Sequence, residues 1–151
     1  MNNFNLVSLV DETVDYVKEK VPYSNGSITV QKNYSEREIL MTGDASKLNQ
    51  AFVNIITNGY QAMSGKGQLT VDISPNGSNV EIIITDTGEG IETESISKIF
   101  DPFVTTKEMG VGLGLAISKR IIEDHRGELH VESSVSTGTS FTITLPVQNG
   151  S

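Results

Sequence analysis

The 151-residue sequence contains no cysteine, which excludes a disulfide framework, a thiol nucleophile and thiolate metal sites. That absence suits a reducing compartment, and a cytoplasmic setting is expected. No apolar run reaches the length of a membrane helix, and the opening residues MNNFNLVSLVDE lack the basic start and apolar stretch of a secretory signal. Basic residues are scarce. Eleven Lys plus Arg stand against nineteen Asp plus Glu, and the net charge of −8 argues against nucleic acid or an anionic membrane as partner. With no repeat, low-complexity tract or linker-like break, one domain is expected over residues 1–151. Its opening helix and strands fall in 1–43 and its motif-bearing core in 44–147.

Apolar residues at Leu6, Leu9, Val10, Val14 and Val17 predict a helix that Pro22 ends. The alternating stretch SITVQKNYSEREILMTGD predicts two short strands. Asp44 is the expected N-cap of a long helix to about Met63, burying Leu48, Phe52, Ile55, Ile56 and Met63. QLTVDIS and NVEIIIT read as strands joined at PNGS, with Asn76-Gly77 as the tight turn and Pro75 keeping it off the strands. A short helical pattern lies near Ser95 to Phe100. A further helix is expected from about Gly112 to Asp124, with Leu113, Ile117, Ile121 and Ile122 buried and Gly127 as its stop. ELHVESS and TSFTITLPV close the chain as strands. This irregular alternation predicts a sheet covered by helices, mostly on one face.

Two glycine clusters stand out: Gly88 and Gly90 in DTGEGI, then Gly110, Gly112 and Gly114 in MGVGLGLAISK. Glycines feeding a helix let backbone N–H groups approach an anion, as a phosphate site requires, although a flexible helix entry has the same composition. Leu115 stands where a dinucleotide fingerprint needs its third glycine, and Gly65-Lys66 lacks the rest of a P-loop. Asn54, Asn58 and Gln61 share one helix stripe, which suits either a magnesium ligand set or a solvated edge. Asp86 ends an apolar strand above a Gly-x-Gly turn, where it could accept from an exocyclic amine or merely close an Asx-turn. Asp-Thr-Gly is also the aspartic-protease triplet, but that chemistry needs a second Asp from a repeat or a homodimer. His125, in the last turn of a helix, is expected to carry partial charge that favours the dipole, and His130 to face water.

In this order the segments resemble the catalytic ATP-binding domain of sensor histidine kinases, a GHKL or Bergerat-fold domain of the superfamily shared with type II topoisomerases and MutL. Asn54-Ile-Ile-Thr-Asn58 is similar to the N box, Asp86-Thr-Gly88-Glu-Gly90 to the G1 box, and Ile99-Phe-Asp-Pro-Phe103 with Thr-Thr-Lys107 to the F box. Gly110-Val-Gly112-Leu-Gly114-Leu115 is similar to the G2 box, and Gly138-Thr139-Ser-Phe141 to the closing motif. The resemblance implies an α/β (α+β) two-layer sandwich, with a mixed, largely antiparallel sheet of about five strands under about three helices.

It also implies roles. Asp86 binds adenine N6, with Gly88, Gly90 and Thr139 around it, and Ile99 packs on the base. Asn58 holds magnesium beside Asn54, and Lys107 lies near the γ-phosphate of ATP. The backbone of Gly110, Gly112, Leu113, Gly114 and Leu115 closes over the phosphates. Six residues separate Phe103 from Gly110, a short lid like that of nitrogen-regulation kinases, and Gln61 and Ala62 replace frequent basic and aromatic residues. Asn54 stands where hydrolysing relatives have a Glu base, so ATP hydrolysis by this chain alone is expected to be slow. The nucleophile implied is a His on a separate dimerising helical hairpin, since neither His125-Arg126 nor His130-Val131 shows the acidic follower of that His. The phosphoryl group would then pass to a response regulator. A non-catalytic ATP sensor and an anti-sigma-type protein-serine kinase are the alternatives.

Overall fold

A computed structural model describes residues 2–20, 28–63, 66–91, 96, 99–100 and 111–147, with only the backbone described for 111–113. Among them are three helices, α1 (Leu6–Lys20), α2 (Ala45–Met63) and α3 (Val111–Asp124). The strands are β1 (Asn2–Asn5), β2 (Ile28–Tyr34), β3 (Leu40–Gly43), β4 (Gly67–Asn76), β5 (Asn79–Asp86), β6 (Glu128–Ser134) and β7 (Gly138–Pro146). Five form a mixed sheet in the order β2-β4-β5-β7-β6, with β2 parallel to β4 and the other pairs antiparallel. The expected sandwich is therefore present. The two strands expected after α1 exist but do not pair with each other, since β3 pairs with β1 in a separate two-stranded sheet.

Alternate residues of β4, β5 and β7 point into one core with the helices: Leu69, Val71 and Ile73; Val80, Ile82 and Ile84; Phe141, Ile143 and Leu145. Against them lie Val10, Val14 and Val17 of α1 and Leu48, Phe52, Ile55, Ile56 and Met63 of α2, the apolar stripes their spacing predicts. Each fully buried aliphatic side chain stabilises the fold by roughly 1.5–3 kcal/mol. At the edge strand, Lys32 of β2 reaches Asp11 at 2.8 Å and Asp15 at 2.7 Å on α1, while the Tyr34 hydroxyl donates to Asp11 at 2.9 Å.

The helix ends are set by side chains. Asp44 caps α2, its carboxylate accepting from the Lys47 amide at 3.1 Å. Asn5 caps α1 through Val7 N–H at 3.1 Å and with the same oxygen accepts from Ile39 N–H at 3.0 Å, tying the helix to the chain before β3. At the end of α3 the Gly127 amide donates to the Ile122 carbonyl at 2.9 Å, and Arg126, not the glycine, takes the left-handed conformation at φ 65°. Gly127 is required for space instead, since a Cβ there would stand 2.4 Å from the Thr144 carbonyl oxygen.

Three further expectations are corrected. The β4–β5 turn is Gly77-Ser78, because Asn76 still pairs with Asn79, and Gly77 alone has positive φ (66°), as in a type II′ turn. Pro75 therefore lies inside β4, opposite Val80. It is tolerated there because β2 ends opposite Ile73, leaving that stretch of β4 with one neighbour. In α3 the buried stripe is Leu115, Ser118, Ile121 and Ile122, whereas Ile117 is exposed and the Leu113 side chain lies outside the described residues. The stripe turns that way because α3 packs tightly on α2, with Ser118 Oγ donating to the Ala51 carbonyl at 3.0 Å. His125 does not act through the dipole as a cation. Its Nδ1 lies 2.9 Å from the Ile121 carbonyl and must donate, so Nε2, 3.0 Å from the Asp44 amide, must accept. The imidazole is neutral in this bond pair and fastens the end of α3 to the start of α2. His130 is exposed, as expected.

Replacing the left-handed Arg126 by glycine (Arg126→Gly) is expected to raise unfolding stability by about 0.5–1 kcal/mol in urea denaturation. A loss of stability would show that the guanidinium contributes more than its backbone costs.

Candidate functional site

Strand register assembles the site. Asp86 of β5 pairs with Thr139 of β7, and Thr139 pairs with Ser133 of β6. These three polar residues form one row across three strands, directly beyond the apolar row Ile84, Phe141 and Val131. Asp86 and Thr139 are both buried. The Asp86 carboxylate accepts from the Gly88 amide at 2.8 Å, so the Asx-turn suggested by the sequence is formed and fixes the acid rather than competing with another use of it.

Burial pushes the Asp86 carboxyl up to about 6, while hydrogen bonds from the backbone amides of Gly88 and Thr139 oppose the rise. An acid at 2 % exposure with neither a cation nor a metal cluster beside it among the described residues is costly to keep ionised. Such a group suits a partner that brings its own hydrogen-bond donors.

The turn after Asp86 is wedged between two walls. A Cβ on Gly88 would lie 2.6 Å from the Ala62 carbonyl oxygen of α2, and one on Gly90 only 2.1 Å from the Ser134 carbonyl oxygen. The Glu89 amide donates to the Ala62 carbonyl at 3.2 Å and the Ser136 amide to the Glu89 carbonyl at 2.8 Å. On the other side, a Cβ on Gly138 would meet the Asp86 carbonyl oxygen at 2.0 Å.

Helix α2 presents the amides. The Asn54 Nδ2 donates to the Gly114 carbonyl in the first turn of α3 at 3.1 Å, holding the two helices together. One turn on, half-buried Asn58 makes no side-chain hydrogen bond among the described residues, so both its amide atoms remain available. Gln61 is exposed. Gly112 and Gly114 lie within the first turn of α3, whose backbone N–H groups have no intrahelical acceptor. Leu115 is a core residue, leaving only its backbone for a ligand. Ile99 is half-buried against the core, next to Phe100, whose ring meets Phe141 edge-on at 6.5 Å. Lys107 and Gly110 lie outside the described residues, as do residues 95, 97 and 98 of the short helical pattern expected from Ser95 to Phe100.

Two site residues escaped the sequence reading. Gly59 of α2 passes Asp86 so closely that a Cβ would stand 3.5 Å from Oδ2. A glycine inside an otherwise regular amphipathic helix, one residue after Asn58, was the available signal. Ser133 showed none, because only pairing register places it opposite Thr139. A separate groove of about 450 Å³ between α1 and α2 is lined by Leu9, Thr13, Tyr16, Val53 and Asn54 among others, and by none of the row.

Comparison with known proteins yields one family and a set of kinases. Residues 43–149 match the family described as histidine kinase-, DNA gyrase B-, and HSP90-like ATPase. Sporulation kinase C of Bacillus subtilis is 39% identical over 126 residues, covering 83% of this chain and 29% of the kinase. Sporulation kinase A of the same organism is 37% identical over 142 residues, covering 94% and 23%. The chain thus spans less than a third of either relative. The nucleotide-free catalytic domain of histidine kinase ThkA superimposes with a TM-score of 0.86 at 28% identity, covering 97% of this chain and 95% of that one.

The Asp86 shift has a sign for stability. Its folded value lies above that of an unfolded aspartate, so the folded state binds the extra proton between about pH 4 and 6 and stability falls as pH rises through that window. The difference is worth roughly 3 kcal/mol at neutral pH. Asp86→Asn is therefore expected to be more stable than the parent at pH 7, with the gap narrowing by about 1 kcal/mol at pH 5 in paired denaturant titrations. A gap independent of pH would show that the carboxylate is not strained by burial.

Proposed function

The chain belongs to the family of histidine kinase-, DNA gyrase B-, and HSP90-like ATPases and is a histidine kinase-type ATP-binding catalytic domain; on that premise we propose that it binds Mg-ATP and donates the γ-phosphate to a histidine on a separate dimerisation hairpin. The phosphoryl group then passes to a response regulator. The observation that carries this reading is the buried Asp86–Thr139 pair above a glycine turn, approached by Gly59 of α2, the residue after Asn58, whose amide makes no hydrogen bond among the described residues.

In this reading the ionised Asp86 accepts from adenine N6, and the Gly88 and Thr139 amides hold its orientation. Ile99 packs on the base. Asn58, a neutral oxygen donor on a rigid helix, fits a magnesium shell otherwise made of water and phosphate oxygens. Magnesium would neutralise the phosphates, which matters in a chain of net charge −8. Asn54 spends one amide proton donor on the Gly114 carbonyl, so it positions the start of α3, whose peptide N–H groups would face the triphosphate; the resemblance assigns Lys107 and Gly110 to the phosphates as well. No carboxylate stands at Asn54 to activate water, so the domain aligns ATP for in-line transfer rather than hydrolysing it. We place the domain, one unit over residues 1–151, in the cytoplasm. No helix among the described residues is long and apolar enough to cross a membrane.

Four measurements test this. Asp86→Asn is expected to weaken ATP binding about tenfold or more in calorimetric titration, and unchanged affinity would remove the adenine role. Because protonation removes the charge that strengthens the bond from N6 and turns one oxygen into a donor, adenosine, with no phosphate to titrate, is expected to bind more weakly at pH 5 than at pH 7, by up to about tenfold. Asn58→Ala is expected to reduce magnesium-dependent ATP binding while sparing metal-free adenosine; equal losses would indicate a disturbed fold. Transfer from labelled ATP to a separately made histidine hairpin, giving an acid-labile product, is the decisive assay. No transfer to a competent hairpin would leave an ATP sensor, and an acid-stable product a serine kinase.

A further inference from the structure

Ser133 belongs to the polar row but has no part in the scheme above. Its Oγ lies 2.8 Å from the Gly138 carbonyl oxygen, 2.7 Å from the Ile91 amide nitrogen and 2.8 Å from Thr139 Oγ1. A hydroxyl has one proton and two lone pairs. The Gly138 carbonyl can only accept, so it takes the Ser133 proton. The Ile91 amide can only donate, so it occupies one lone pair. The lone pair that remains must be filled by the Thr139 hydroxyl proton. Protons therefore run in one direction, from Thr139 to Ser133 to the Gly138 carbonyl. Thr139 Oγ1 is left with lone pairs alone, beside a carboxylate that also only accepts when ionised.

Resting on the nucleotide reading of the preceding subsection, we propose that Ser133 is a positioning residue for base selection. By fixing the Thr139 proton it makes the recognition row a set of acceptors, which admits a 6-aminopurine and rejects a 6-oxopurine. The 6-amino group supplies two N–H donors to such a row. A 6-oxo group brings lone pairs against lone pairs. A free threonine hydroxyl would rotate and donate to O6, and discrimination would fall. The row sits where this matters, because Asp86 and Thr139 are buried and water cannot readily take over an unmatched contact.

The test is calorimetric titration of the parent, Ser133→Ala and Ser133→Thr with ATP and with ITP, which differ at C6 (amino against oxo) and at the neighbouring N1 (bare against protonated). The parent is expected to favour ATP by about a hundredfold or more, as sites built around matched hydrogen bonds do. In Ser133→Ala the ratio is expected to fall about tenfold, largely through tighter ITP binding, and Ser133→Thr keeps it. A merely structural role would weaken both nucleotides together and leave the ratio unchanged, and that result overturns the proposal. So does a ratio lost equally in Ser133→Thr. Should Ser133→Ala fail to fold, Ser133→Cys, whose thiol is a poor acceptor for the Thr139 proton, replaces it; the same compression supports the proposal and an undiminished ratio overturns it. A parent that binds ATP while the variants keep its preference sinks this inference alone. A parent that binds neither nucleotide sinks the nucleotide reading and this inference with it.

Discussion

One carboxylate organises the recognition end of this molecule. Asp86 closes the apolar face of β5 at the level where the core stops, and everything around it is arranged to hold a charge where charge is disfavoured. Two backbone amides orient it, two glycine turns crowd against its strand, and Gly59 lets α2 pass without covering its outer oxygen. In the proposed reading, a ligand that donates hydrogen bonds offsets that stability cost on arrival. Local instability and recognition are thus one property of one side chain.

The remainder of the molecule keeps that residue in place. The sheet register sets Asp86, Thr139 and Ser133 level, and the rows beneath them are filled by interdigitating Ile, Phe, Leu and Val side chains that resist slippage. The helical layer is joined by a few specific bonds. Asn54 holds the beginning of α3, Ser118 grips the α2 backbone near its middle, and neutral His125 fastens the end of α3 to the cap of α2. The amide side of the site and the start of α3 are therefore carried by two helices bonded to each other at three levels.

Much of this was legible in the sequence, for reasons that can be named. Apolar periodicity found α1 and α2 because their buried stripes follow the helical repeat without interruption, and Asp44 was visible as a cap because capping is local chemistry. Asp86 could be singled out because a carboxylate ending an apolar strand before Gly-x-Gly is unusual within a few residues of chain. Non-local matters were hidden. The pairing of β1 with β3, the stripe of α3 rotated toward Ser118 and away from Ile117, and the tautomer of His125 all depend on partners 35 to 81 positions distant. Ser133 is the sharpest case, an ordinary strand serine until β7 is laid beside it. The β4–β5 turn failed for another reason, since Asn76-Gly77 satisfies turn chemistry locally and only the strand register moves the turn on by one residue.

The close docking of the glycine turns bears on how variation among relatives should be read. At Gly90 and Gly138 the obstacle to a side chain is peptide carbonyl oxygen, which no rotamer change can move aside. Fixation of glycine there would record the seating of one turn on another, and would arise in a member that had lost its ligand altogether. Asn58 is under no such steric constraint, so, if it holds the proposed magnesium, it is the position whose drift would betray a descendant that keeps the architecture and has abandoned the metal.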